Sequence, residues 1–341
     1  MKWFLSSFCA VALSFHASSS LGAKTNAADF SGLGGRFVPS PGLIHSAVPG
    51  AAFAKLPPQI KQWARVAQTP LPVSAVAWVV DQCITNPATA AAVKARLEKE
   101  PNIVKTGRTT LLQSGNVMLA VAPEAGEIRY YRRDLGGERI TEADLRNRRR
   151  DSLDTNILKG ELMKLARHLG LCPAEWEKDS NGQPRIVFSD RTRYPPPNRK
   201  PVLVERSVTL NRSIDGRTLI PNLSTPQPGF HELVLSRTYS GDYKEVRVHW
   251  PRLEAAGSVA MPCKSNADLE KLLQKGPVLW DQSNQSNPAD AKRITIRDIR
   301  LSFFEPMDSS RLIPVLLLDA EAKPPTADDG YIVLILPLHI P

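Results

Sequence analysis

The chain of 341 residues carries 44 Lys and Arg against 34 Asp and Glu, a formal net charge of +10, with 42% apolar residues, 6% aromatics and 29 prolines. That composition excludes collagen-like and wholly disordered chains and suits two compact domains, or three small ones, at about 150 residues each. No apolar run reaches the roughly 18 residues a membrane-spanning helix needs. The closest, Tyr331 to Ile340, is short and broken by Pro337, and reads as a buried strand.

Residues 1 to 23 have the form of a secretory signal: Lys2, an apolar stretch from Trp3 to Phe15, then small residues through Ala23. The expectation is removal near Lys24 and a secreted, periplasmic or extracellular location. Residues 24 to 58, rich in Gly, Pro and Ser, read as a flexible leader. Helical character is predicted at Gln59 to Ala67, Val73 to Gln82 and Pro87 to Lys99, where Pro87 suits a first helical turn. A hairpin follows, with Val117, Leu119 and Val121 alternating against Ile128 and Tyr130 across the turn residues Pro123 to Gly126. Residues 59 to 150 are thus expected to form a helical region plus a first α+β unit.

That stretch ends in the dense basic run Arg146, Arg148, Arg149 and Arg150. Clustered guanidiniums can hold a polyanion or an acidic partner, whereas the plainer reading is a solvated linker. No aromatic residue is interleaved as stacking on single-stranded nucleic acid requires, so no nucleic-acid partner is expected.

A one-sided helix is predicted from Thr155 to Leu169, capped by Asp154, with Leu158, Leu162, Leu165 and Leu169 in one stripe and Gly170 as its stop. Strands follow at Arg185 to Ser189 and Val202 to Ile214, the latter closed by Asp215-Gly216. Phe230 to Thr238 and Tyr243 to Trp250 flank Ser240-Gly241-Asp242 as a second hairpin, and the central unit spans 151 to 253. A helix from Asn266 to Lys275 starts at a Ser265 cap, before apolar strands Ile294 to Phe304, Leu312 to Leu318 and Tyr331 to Leu336, giving a C-terminal unit over 254 to 341. Helix-then-strands recurs from near 87, 154 and 266, which points to α+β units in which an antiparallel sheet curls against one helix.

Three cysteines follow the signal: Cys83, Cys172 and Cys263. Without a C-x-x-C pair they form neither a zinc knuckle nor a redox motif, and in an oxidising compartment one disulfide plus one buried thiol is expected, with all three pairings open. His45, His168, His231, His249 and His339 show no metal spacing. His231-Glu232 matches only the opening of the zinc-protease helix motif, because Leu235 replaces the second His and the segment alternates like a strand. Cys172 lies four residues after His168 but beyond Gly170, where a helix has ended, so a structural role is expected. No G-x-S-x-G elbow or P-loop occurs. No catalytic, cofactor-binding or metal residue is assigned, and no cofactor is expected.

Val208, Leu210, Asn211 to Gly216, Ser240-Gly241-Asp242 and Val246 to Pro251 together resemble the bacterial PepSY-type, cystatin-like domains. Leu301 to Phe304, Pro314 to Leu318 and Gly330 with the strand ending at Pro337 resemble the module that often follows them. The resemblance covers residues from about 105 to the end and departs from the family pattern at Thr225 to Gly229. It implies an α+β fold of tandem cystatin-like units after a helical N-terminal region. It also implies a secreted, non-catalytic binding module that associates with or restrains a peptidase, docking an extended chain by strand addition. The alternatives are a secreted hydrolase with an unrecognised site, and an envelope protein that binds acidic polymer through Arg146 to Arg150.

Overall fold

A computed structural model describes residues 37–40, 46–47, 56–66, 73–99, 110–122, 126–135, 152–194, 201–220, 231–275, 278–281, 291–305, 311–323 and 331–338. In chain order these hold β1 (Phe37–Ser40), β2 (Ser46–Ala47), β3 (Gln59–Arg65), α1 (Val73–Cys83), α2 (Pro87–Lys99), β4 (Thr110–Ser114), β5 (Val117–Ala122) and β6 (Glu127–Arg132). Next come α3 (Thr155–His168), β7 (Ile186–Arg193), β8 (Val202–Asn211), β9 (Ser213–Ile214), β10 (Arg217–Ile220), β11 (Glu232–Thr238) and β12 (Tyr243–His249). The chain continues with β13 (Leu253–Ala260), α4 (Asn266–Lys275), β14 (Val278–Asp281), β15 (Arg293–Phe304), β16 (Arg311–Lys323) and β17 (Tyr331–Pro337).

One sheet has seven antiparallel strands in the order β4-β5-β6-β12-β11-β8-β7. Alternation decides which face is buried: Leu119, Val121, Ile128, Tyr130, Val208, Leu210, Leu233, Leu235, Val246 and Val248 point to one side. There they meet Ala75, Val76, Val79 and Val80 of α1 and Leu158, Leu162 and Leu165 of α3. α3 forms where its sequence signals place it. The Asp154 carboxylate accepts from the backbone N–H groups of Asn156 and Ile157 at 2.8 and 3.0 Å. At the other end Gly170, at φ +66°, lets its own N–H reach the Arg167 carbonyl and the Leu171 N–H reach that of Ala166. Each fully buried leucine on the stripe contributes about 1.5–3 kcal/mol. The Tyr130 hydroxyl donates to the Cys83 carbonyl at 2.7 Å, which satisfies a buried phenol whose pKa burial pushes up.

The second sheet has ten strands, with β1-β14-β17-β16-β15-β10-β9 as its path, and β2, β3 and β13 attached beside it. Leu269 and Leu273 of α4 share a core with Ile294, Ile296, Leu316, Leu318, Ile332 and Leu334. The opposite face buries Phe304, Val315 and Ile335 in a smaller cluster.

Between β8 and β13 the chain crosses between the sheets at one place. After Asn211 it leaves the seven-stranded sheet, turns through Asp215 and Gly216, both at positive φ, and sends β10 alongside β15. It returns at His231, and leaves again through Trp250 and Pro251 into β13. Gly126 sits against this last crossing: Trp250 N–H donates to its carbonyl at 2.9 Å, and a Cβ on it would lie 2.5 Å from the Pro251 nitrogen. Only glycine fits there, and its φ of +62° suits glycine as well.

This architecture corrects several expectations. Tandem cystatin-like units, each pairing a sheet with its own helix, do not form, nor does a helical N-terminal region. Strands dominate the mix, because the hairpin β5–β6 adds to β12 and so joins the later strands in one shared sheet. Gln59–Arg65 is strand β3 rather than helix: it pairs with β13 and β16, burying Ile60 while Lys61 stays exposed. The stretch read as a leader contributes β1 to β14 and β2 to β15. The strand expected to run from Val202 to Ile214 breaks at Arg212. Cys83, Cys172 and Cys263 are all free, the first and last buried and Cys172 exposed. No helix among the described residues is long and apolar enough to cross a membrane.

Candidate functional site

Strand pairing assembles a buried polar cluster where the crossings meet. His249 ends β12 and lies opposite Glu127, the first residue of β6, and opposite Glu232, the first of β11. His231 directly precedes β11. Glu305 directly follows β15, and its N–H donates to the Ile220 carbonyl at 3.2 Å, which fixes it at the end of the β10–β15 pair. The two imidazoles meet edge to face with ring centroids 4.9 Å apart.

Both aim Nε2 at the same carboxylate oxygen, Glu305 Oε2, from 2.7 Å for His231 and 3.1 Å for His249. His249 Nδ1 lies 3.0 Å from Glu127 Oε1. Arg212, 2% exposed, closes the other side. Its Nη1 donates to the Pro251 carbonyl at 2.6 Å and points at His231 Nδ1 at 3.3 Å, while Nη2 pairs with Glu175 at 2.8 Å. The guanidinium also stacks over Trp250, 5.3 Å from the ring centroid. With Arg212 donating to Nδ1, His231 carries its ring hydrogen on Nε2 and gives it to Glu305. Burial lowers the Arg212 pKa to about 10, which leaves it charged near neutrality. Burial also pushes Glu232 up to about 7, with Glu245 adding to the rise and Arg247 opposing it.

A second feature lies at the far edge of the same sheet. β7 pairs with β8 on one side only among the described strands. Val187 and Phe188 on it are 40% and 38% exposed, and Tyr194 just beyond is 63% exposed. Among the described residues, three of the four exposed large apolar side chains therefore lie at this one edge, Ile157 on α3 being the other. Arg185, Arg191 and Arg193 accompany them, with Arg185 paired to Glu177, Arg191 to Glu205, and Asp190 to Arg206 of β8.

Arg146, Arg148, Arg149 and Arg150 lie outside the described residues, as do the signal segment, His45 and His339. His168 and Cys172 are both exposed, and neither is among the residues that meet at Glu305. Of the histidines, the fold brings together His231 and His249. Spacing along the chain hides the pair, because its members sit on neighbouring strands, although they lie symmetrically about Ser240 in a legible hairpin. Nothing local marks Glu305. Neither a family model nor a curated protein matches this chain.

Proposed function

We propose that the protein is a non-catalytic binding module, acting outside the cytoplasm, whose β7 edge adds an extended, acidic segment of a partner protein as a further strand. The observation that carries the reading is the concentration of exposed Val187, Phe188 and Tyr194 along an edge strand. Soluble proteins usually blunt edges with charges and bulges, as the second half of β7 does with Asp190, Arg191, Arg193 and a register shift at Arg191, but its first half leaves Val187 and Phe188 exposed beside main-chain groups that an added strand can pair with. Arg185, Arg191, Arg193, Arg206 and Lys244 outnumber Glu177, Asp190 and Glu205, the acids that pair with four of them, and this cationic excess favours an acidic segment. A peptidase is the partner class that the family resemblance implies.

The test uses fluorescent peptides of alternating apolar residues, one series acidic and one basic, titrated with the intact protein. The acidic series is expected to bind without being cleaved. Val187→Lys with Phe188→Lys should weaken binding at least tenfold, about 1.4 kcal/mol, at an unchanged Tm. Binding that ignores these substitutions, or peptide hydrolysis, would refute the reading.

A further inference from the structure

We propose that His231, His249 and Glu305 bind one divalent transition-metal ion, zinc by its preference for imidazole and carboxylate ligands, and that this ion joins the two sheets. One ligand atom from each residue lies within 4.8 Å of the others, and all three residues are buried. Ligation at about 2.05 Å with tetrahedral angles places ligand atoms about 3.3 Å apart. The Nε2-to-carboxylate separations of 2.7 and 3.1 Å are shorter by about 0.6 and 0.2 Å, within reach of side-chain rotations.

The surroundings fit the same chemistry. Metal-bound histidines commonly donate their second nitrogen to a carboxylate, which fixes ring orientation and raises ligand basicity, and Glu127 Oε1 lies 3.0 Å from His249 Nδ1, near enough to take that part once a small rotation aligns the two into a hydrogen bond. The ligands come from both sheets, His231 and His249 from the seven-stranded one and Glu305 from the end of β15. An ion there would tie the sheets together at the point where the chain crosses between them. On binding, His231 moves its ring hydrogen from Nε2 to Nδ1, and Arg212 keeps its 2.6 Å bond to the Pro251 carbonyl while its 3.3 Å contact to Nδ1 opens. His249, with a carboxylate at each nitrogen, gives up its Nε2 hydrogen to solvent and retains the one on Nδ1.

The protein is prepared without a polyhistidine tag, stripped with chelator, and titrated with zinc or cobalt. The expectation is one tightly held equivalent, a Tm raised by about 5 °C or more, and visible cobalt absorption bands of the intensity given by four-coordinate sites. His231→Asn and Glu305→Gln should each abolish all three effects. The cobalt spectrum of the unaltered protein tests the site even where a variant fails to fold. Absence of stoichiometric binding to the unaltered protein, or metal retained with the same spectrum in either variant, would overturn the proposal.

Discussion

Three donors converge on Glu205, near the end of the seven-stranded sheet away from the histidines: Ser236 Oγ at 2.7 Å, Lys244 Nζ at 2.8 Å and Arg191 at 3.3 Å. Burial by itself would raise its pKa, but the hydrogen bonds from Lys244, Ser236 and Arg191, with the Lys244 charge, outweigh it and hold the carboxyl below the ordinary 4.5. A carboxyl depressed in the folded state stabilises the protein above its unfolded pKa, and that contribution is lost as pH falls through the folded value. Glu205→Gln should therefore melt below the unaltered protein near neutrality, and the gap in Tm should narrow between about pH 6 and about pH 3. Thermal melts followed by circular dichroism across that range check it, and a constant gap would mean that the carboxylate charge contributes nothing. Residue chemistry of this kind was invisible in the sequence. Glu205, Ser236 and Lys244 lie on three different strands, and only the pairing register brings them together.

At the scale of single elements, the sequence was most legible where local signals agreed. For α3 the Asp154 cap, the leucine stripe and the Gly170 stop all point to one helix, and it forms from Thr155 to His168. Leu162, fully buried between α3 and the sheet, makes the sharpest test. Leu162→Asp puts an unpaired charge in that core at a cost of at least ~3 kcal/mol, against a total stability of about 5–15 kcal/mol. The variant should lose cooperative melting or melt far lower, and an unchanged transition would contradict the packing. β3 shows the opposite case. Its seven residues carry no strong strand signal, and its conformation comes from two partners, β13 and β16, that lie far along the chain. Arg212 is legible only in hindsight, as a charged residue in an apolar alternation where the strand has to break.

At the scale of the whole molecule, α1 to α3 and the seven-stranded sheet are built from residues that lie between β3 and β13, two strands that pair with each other in the other sheet. The β9–β10 hairpin is the one excursion from that stretch into the larger sheet among the described residues. Deleting residues 1–58 removes β1 and β2, which pair with β14 and β15, and leaves every strand of the seven-stranded sheet in place. Hydrogen exchange should then accelerate in β14 and the start of β15 while β11 and β12 keep their protection. Equal loss of protection in both sheets would show that the two unfold as one unit. The same threading has a consequence for how the protein is made. The partners of β1, β2 and β3 all lie beyond Trp250. A chain emerging from the ribosome, or through an export pore, therefore finishes its helix-backed sheet while its first strands are still waiting, and those waiting strands are where a chaperone would have to hold on.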